Sequence, residues 1–241
     1  IIGIGLGGGI LNGETNALVA DISNEAEKGS RLSLLGAFYG IGALGIPVLL
    51  SFLSEYYSFE IILQGTGMVM LIGILFCLGI RFPAPKQPQG FPIKEGLGLL
   101  KESSLLLLSF ILFFQSGIEG VCNNWTTLYL GQTTGIPENR ALIALTCMVA
   151  GLTVARLLLV VLFKKIKQET VLRTSLITAV AGFALLTFAP GFARAAIGMA
   201  LIGAGLASTF PVILSIIGSR YASLSGTAFS VALVIALIGQ T

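Results

Sequence analysis

The chain of 241 residues carries few charges for its length: 55% of the residues are hydrophobic, 10% are charged, and the mean hydropathy is +0.95. A soluble domain of this size needs a polar surface that so few charges cannot supply, so the composition excludes a soluble globular protein and indicates a membrane protein. The sequence contains no histidine, which leaves proton chemistry to carboxylates. Its cysteines have no metal-binding spacing, so we expect no metal and no other cofactor; they are Cys77, Cys122 and Cys147.

Apolar segments of roughly 18 to 25 residues follow one another along the chain, and a helix of that length crosses a hydrocarbon core of about 30 Å. About eight are predicted, at residues 1–21, 32–54, 60–81, 104–130, 140–163, 171–189, 192–217 and 225–241. Runs of glycine within them are compatible with helices in lipid, because small residues let neighbouring helices approach closely. The sequence therefore predicts an all-α membrane protein.

Basic residues fall mostly on one side of this predicted topology. If the connection 23–31 is cytoplasmic, eleven of the 14 Lys and Arg residues lie on the cytoplasmic side. Only Arg140 and Arg194 face outward, and Arg156 lies within a helix. Excess Lys and Arg in cytoplasmic loops is the rule for membrane proteins. We therefore expect a multi-pass integral protein, in a bacterial inner (plasma) membrane.

The longest connection, residues 82–103, contains four prolines and has the composition of a linker. It divides the chain into residues 1–81, the C-terminal part of an N-terminal helical bundle, and residues 104–241, a truncated C-terminal helical bundle. We expect the linker to be cytoplasmic. Weak similarity between the two parts suggests parallel repeats. Because the sequence begins and ends inside apolar segments, we expect each bundle to be incomplete.

Ionisable side chains at membrane depth are the candidate functional residues, because a charge there costs at least about 2.5 kcal/mol on insertion scales. They are Glu14, Glu119 and Arg156. Glu119 belongs to a polar stripe on one helical face, with Trp125 at its edge. The stripe consists of Gln115, Glu119, Cys122, Asn123, Thr126 and Tyr129. Such a stripe either lines a cavity or bonds helices together, and the carboxylate within it favours a cavity.

Glu14 lies about 10 Å from the cytoplasmic end of its helix, from the rise of 1.5 Å per residue. A carboxylate at that depth can accept a proton on one side of the membrane and release it on the other. We expect interhelical hydrogen bonds from Asn12 and Asn16, and solvated loop positions for the charges that follow them, which are Asp21, Glu25 and Glu27. Arg156 lies at a depth similar to that of Glu14 and far from that of Glu119. It either pairs with a carboxylate or bonds backbone carbonyls near a cytoplasmic gate.

Three segments resemble the major facilitator superfamily and, within it, the fucose/galactose/glucose–proton symporter family. They are Gly5–Asn16 with its Glu14-Thr15 pair, Arg31–Ala43, and Gly117–Trp125. The resemblance implies that the chain provides helices four to eleven of twelve, and that the two bundles rock about a solute near the bilayer midplane. It also implies a proton-coupling and sugar site at Glu14. Tyr39 stands where the family has Asn, and Glu119 where it has Gln, so the same sugar does not follow.

The resulting prediction is a secondary transporter, not an enzyme, that moves a monosaccharide by proton symport and works as a monomer. The residues expected to bind the solute are Gln115, Glu119, Asn123, Trp125, Thr126 and Tyr39. Glu14 and Glu119 are expected to couple protons, and Arg156 to act as a gating or structural charge. The main alternative is a proton-driven efflux antiporter for drugs or metabolites from the same superfamily. A channel, a receptor and a membrane enzyme are weaker alternatives, since no catalytic set or phosphate loop is present.

Overall fold

The computed structural model describes residues 2–83, 98–188 and 191–240, and the long elements in those ranges are α-helices. A short 3-10 turn, Ala222–Leu224, precedes the last of them. In chain order the helices are α1 (Ile2–Ile22), α2 (Lys28–Ser54), α3 (Phe59–Gly79), α4 (Ser103–Thr134), α5 (Glu138–Lys165), α6 (Gln168–Phe188), α7 (Phe192–Leu206), α8 (Thr209–Arg220) and α9 (Ser225–Gln240).

Within these ranges, six helical segments are long and apolar enough to cross a membrane. They are Phe59–Gly79, Ser103–Thr134, Glu138–Lys165, Gln168–Phe188, Phe192–Arg220 and Ala222–Gln240. The other two helices, α1 and α2, contain 21 and 27 residues. The all-α membrane fold predicted from hydropathy is confirmed, and the helix bounds agree with the predicted spans to within a few residues. The predicted linker lies mostly outside the described residues, and the division into two bundles stays a prediction.

The segment predicted as one helix, residues 192–217, is interrupted between α7 and α8. Ala207 and Ser208 keep near-helical backbone angles, so the chain continues in the same direction across the interruption. Proline causes it, because Pro211 has no N–H to donate to the carbonyl four residues earlier, that of Ala207. The predicted single span is therefore confirmed as one membrane-spanning segment, Phe192–Arg220, with a local interruption at Ala207 and Ser208.

Close helix contacts are made by glycines. Helix α7 packs between α5 and α6, and α4 packs along α9. A Cβ added to Gly182 of α6 would lie 2.7 Å from the carbonyl oxygen of Gly198 in α7. A Cβ added to Gly120 of α4 would lie 2.7 Å from the carbonyl oxygen of Gln240 in α9. These distances leave no room for a side chain, so the backbones meet directly, as in other membrane bundles.

Helix α2 contacts α5 through a row of small residues spaced three or four apart. The hydroxyl of Ser30 donates to the carbonyl of Val160 at 2.8 Å. The hydroxyl of Ser33 donates to the carbonyl of Arg156, also at 2.8 Å. Gly36 and Gly40 continue the row, against the side chains of Arg156 and Thr153. The row joins the two parts of the chain that the predicted linker separates.

A polar cluster joins the α1–α2 connection to the far end of the chain. The Nζ of Lys28, a residue that is only 3% exposed, donates to Glu25 Oε1 at 2.7 Å and to Ser219 Oγ at 3.0 Å. Ser219 also donates to the other oxygen of Glu25. Nearby, the hydroxyl of Ser225 donates to Asp21 at 3.0 Å. The loop position expected for Asp21 is therefore wrong, because Asp21 lies within α1 and is partly buried. Glu25 lies in the connection and is exposed, as expected, and it contacts Lys28 and Ser219 from there.

Candidate functional site

The centre of the predicted polar stripe is a hydrogen-bonded pair on α4. Gln115 Nε2 donates to Glu119 Oε1 at 3.0 Å and to the carbonyl of Leu206 at 2.8 Å. Leu206 is the last residue of α7, immediately before the helix interruption. Gln115 is buried, whereas Glu119 remains partly exposed. One amide thus holds the carboxylate in place and also contacts the interrupted helix.

Arg156 of α5 lies close to this pair and is 8% exposed. Its Nη1 donates to the carbonyl of Gly36 in α2 at 3.1 Å, and its Nε is buried without a hydrogen-bond partner. The guanidinium interacts electrostatically with Glu119. Counting residues along the helix places the Arg156 backbone at the depth of Glu14. The Arg156 side chain is long, however, and its guanidinium extends from that depth toward Glu119. Two candidate residues, Glu119 on α4 and Arg156 on α5, are therefore brought together here, next to the backbone of α2.

The rest of the stripe divides between helix contacts and exposed positions. Cys122 and Thr126 are buried, and the Thr126 hydroxyl lies 3.8 Å from Met199 Sδ of α7. Asn123 is exposed one turn beyond Glu119, on the same face of α4. Trp125 is 59% exposed and Tyr129 is 37% exposed. Glu119 and Asn123 are thus accessible together, while Thr126 is packed against α7.

Glu14 and Tyr39 lie away from these helix contacts. Glu14 is exposed on α1, and Tyr39 is 75% exposed on α2. The Asn16 amide donates to the carbonyl and the side chain of Asn12, at 2.7 and 3.0 Å, within α1. The observed bonds of this pair are therefore within one helix, where interhelical bonds were expected. A side chain four residues further along a helix lies directly above its neighbour, which explains this geometry.

Several buried polar residues were not selected from the sequence. Ser208 lies at the helix interruption and Thr209 follows it, and their hydroxyl oxygens are buried without a hydrogen-bond partner. Lys28 and Ser219 belong to the cluster that joins α2 to α8. The only signal for the first pair is a Ser-Thr dipeptide within an apolar run, two residues before Pro211. Lys28 directly follows the charged residues of the α1–α2 connection, so the sequence does not distinguish it from a solvated loop charge.

The arrangement is suited to holding a proton and a polar molecule at membrane depth. A partly exposed carboxylate, Glu119, has an amide donor on one side and a buried guanidinium within electrostatic reach. Protonation of that carboxylate would remove the negative charge that the guanidinium faces. Such a change can alter how helices α2, α4 and α5 contact one another.

Helices of membrane-spanning length, packed through glycines around ionisable side chains, define an integral multi-pass membrane protein. The family model of the Major Facilitator Superfamily matches residues 1–241. The chain belongs to the major facilitator superfamily, a superfamily of transporters rather than enzymes. The resemblance noted in the sequence is thereby confirmed at the level of the superfamily. No curated protein matches the sequence.

The fold is similar to solved structures of the fucose:proton symporter FucP. A variant of the E. coli protein has a TM-score of 0.76 at 20% identity, and the match covers 95% of this chain and 64% of that one. FucP in the outward conformation has a TM-score of 0.74 at 20% identity, with 94% and 62% covered. The chain therefore spans less than two thirds of the length of these symporters. At this identity the similarity shows a common fold.

Proposed function

We propose that the chain is part of a secondary transporter that moves a small polar solute, a monosaccharide, together with protons. The observation that carries the proposal is Glu119, a partly exposed carboxylate in a long membrane helix, hydrogen-bonded by Gln115 at 3.0 Å. An ionisable group in a membrane helix is costly, so it usually faces a cavity or a partner and marks a transport pathway. The fold similarity to a fucose:proton symporter supports the choice of sugar and proton.

In this proposal Glu119 and Glu14 exchange protons, and the polar and aromatic side chains near them bind the sugar. Asn123 and Gln115 supply amide groups that suit hydroxyls, and Trp125 and Tyr39 supply aromatic faces that suit the apolar side of a sugar ring. Thr126 supports the packing of α4 on α7 as well as the site. Arg156 places a permanent positive charge near Glu119.

The two bundles predicted from residues 1–81 and 104–241 rock about this site, so that it opens to one side of the membrane at a time. Helix α2 and its contacts with α5 then form part of the surface on which the bundles move. The transporter works as a monomer in a bacterial inner (plasma) membrane.

Uptake by the full-length protein in liposomes tests the proposal. An acidic outside solution should drive radiolabelled monosaccharides inward above their equilibrium level, and a protonophore should abolish this accumulation.

The variant Glu14→Gln should lose the dependence of uptake on external pH. A normal pH dependence in this variant would remove Glu14 from the coupling site. Export of an amphipathic compound against the proton gradient, without sugar uptake, would instead support the efflux alternative. The exposed aromatic residues Tyr39 and Trp125 would suit such a solute.

A further inference from the structure

Arg156 carries a positive charge that the described residues pair only in part. The side chain is 8% exposed, and its one hydrogen bond within the described ranges runs from Nη1 to the Gly36 carbonyl at 3.1 Å. Its Nε is buried without a partner, and no carboxylate in those ranges forms an ion pair with it. A buried charge is costly unless it is paired and hydrogen-bonded. The guanidinium therefore has donors left for another acceptor.

The negative charge that acts on this guanidinium is that of Glu119, which attracts it without forming an ion pair. The Glu119 carboxylate is hydrogen-bonded by Gln115 instead. Under the proposed function, Glu119 is protonated while the solute is bound. Arg156 would then be a buried cation without a counter-charge, and a buried charge that has lost its partner is strongly destabilising. The bound state therefore needs a new negative charge beside Arg156.

The other ionisable side chains on the helices packed against α5 do not supply this charge. The side chain of Tyr39 on α2 and that of Cys122 on α4 lie in this region, but phenols and thiols are mostly uncharged near neutral pH. The charged side chains of α2 and α6 form ion pairs of their own. Helix α7 has one charged side chain, Arg194, near its N-terminal end, and it is positive. The charge must therefore come with the solute.

We propose that the transported solute carries a carboxylate, as a hexuronate does, and that Arg156 binds this carboxylate while Glu119 is protonated. The planar fork of a guanidinium matches the two oxygens of a carboxylate. One proton then enters with one anion, and the net charge beside Arg156 is the same in the empty and the loaded site. A neutral sugar would offer Arg156 only hydroxyls. This inference rests on the proposed function and names its substrate class, the acidic monosaccharides.

Equilibrium binding to the full-length protein in detergent tests the inference with matched sugars. Glucose, galactose and mannose are each compared with the hexuronate that differs from them only at carbon 6. At pH 5 we expect at least one hexuronate to bind at least about tenfold tighter than its hexose. Its affinity should fall as the pH rises to 7.5, because proton and anion bind together. The hexuronate itself is ionised throughout this range, so the change belongs to the protein.

The outcomes separate this inference from the proposed function. Binding of a hexose as tight as that of its hexuronate would overturn the inference and leave proton-coupled sugar transport in place. Acetate that displaces the hexuronate at equal concentration would overturn it too, because the site would then recognise any carboxylate. Failure of every sugar to bind would reject both the inference and the proposed function.

The variant Arg156→Gln locates the bound carboxylate. It should bind hexose and hexuronate alike, whereas Arg156→Lys should keep part of the preference, because the charge remains and the fork is lost. The matched control is Arg173→Gln, which removes the same charge at a position that is 74% exposed and should keep the full preference. A preference for the hexuronate that survives in folded Arg156→Gln would overturn the inference.

Glu119→Gln decides if Arg156→Gln does not fold. An amide imitates the protonated carboxylate, so the hexuronate should bind tightly to this variant at both pH values. Calorimetry in two buffers of different ionisation enthalpy counts the protons that are taken up on binding. We expect about one proton for each hexuronate bound to the wild type, and fewer for the variant. Proton uptake equal to that of the wild type would overturn the inference.

Discussion

The Glu119 carboxylate is hydrogen-bonded by the Gln115 amide and lies near the buried guanidinium of Arg156. Its negative charge can be removed by one substitution that preserves the shape of the side chain. Gln115 donates to Glu119 Oε1 at 3.0 Å, and Arg156 interacts with it electrostatically. Glu119→Gln keeps the shape and most of the hydrogen bonding but can carry no proton. The substitution therefore separates binding of the solute from coupling to protons.

We expect Glu119→Gln in the full-length protein to abolish proton-driven accumulation of solute, while binding survives in part. The measurement is uptake into liposomes with and without a pH gradient, together with solute binding to the purified variant. Asn124→Gln is the matched control, because Asn124 is exposed on the opposite side of α4. Accumulation equal to that of the wild type would reject the coupling role of Glu119.

Arg156 should show its link to Glu119 in a double-mutant cycle. Arg156→Gln removes the positive charge, and the double variant with Glu119→Gln removes both partners. We expect the two effects on the free energy of unfolding to be non-additive by about 0.5–3 kcal/mol, the range for residues that interact directly. The measurement is reversible unfolding of the four proteins in detergent micelles. Additivity within about 0.3 kcal/mol would mean that the guanidinium serves only the Gly36 carbonyl.

Helix periodicity predicted this site in part. The 3.6-residue period placed Gln115 and Glu119 on one face of α4, and the structure has their side chains bonded to each other. Periodicity describes a single helix, however, and does not identify the neighbouring helix. Thr126 is therefore on the predicted face but packs against Met199 of α7. The proximity of Arg156 to Glu119 depends on the length of the Arg156 side chain and on how α4 and α5 pack. Residue spacing along the sequence does not predict either of these.

At the scale of elements, hydropathy predicted the position of each helix because a bilayer requires long apolar helices. It did not predict the interruption at residues 207 and 208, because a proline within an apolar run is compatible with either a kink or a continuous membrane helix. The partners of each helix were also not predictable, although glycine runs indicated close contacts. In α2 these glycines include Gly36 and Gly40, which meet α5.

Gly40 tests the contact between α2 and α5. A Cβ at this position would overlap Thr153 Oγ1 and lie 3.0 Å from Thr153 Cβ and Cγ2. We expect Gly40→Ala to destabilise the fold by about 1–3 kcal/mol, the usual cost of overpacking, and to lower Tm. Gly42→Ala is the control on the same helix, since a Cβ there has no heavy atom within 4 Å. Equal Tm values for the two variants would contradict the close approach of these helices.

At the scale of the whole molecule, residues far apart in sequence meet at the end of the bundle that is predicted to face the cytoplasm. The buried Lys28 bonds Ser219 at 3.0 Å, across 191 residues of sequence, and Asp21 bonds Ser225 across 204. These contacts join the predicted bundles at one end, where the positive-inside rule also places most Lys and Arg residues.

The orientation of the protein in the membrane can be tested by labelling residues at the two ends of α3. This helix has no buried residue among those described. Ser58 precedes α3 and Ser103 begins α4, and both are exposed. If α3 spans the membrane with 23–31 in the cytoplasm, Ser58 faces outward and Ser103 faces inward. Cys77 is exposed and would react itself, so the test uses a Cys77→Ser background. In intact cells Ser58→Cys should react with an impermeant maleimide. Ser103→Cys should react only after the membrane is permeabilised. The opposite pattern would invert the predicted topology, and reaction of both in intact cells would show that α3 does not cross the membrane.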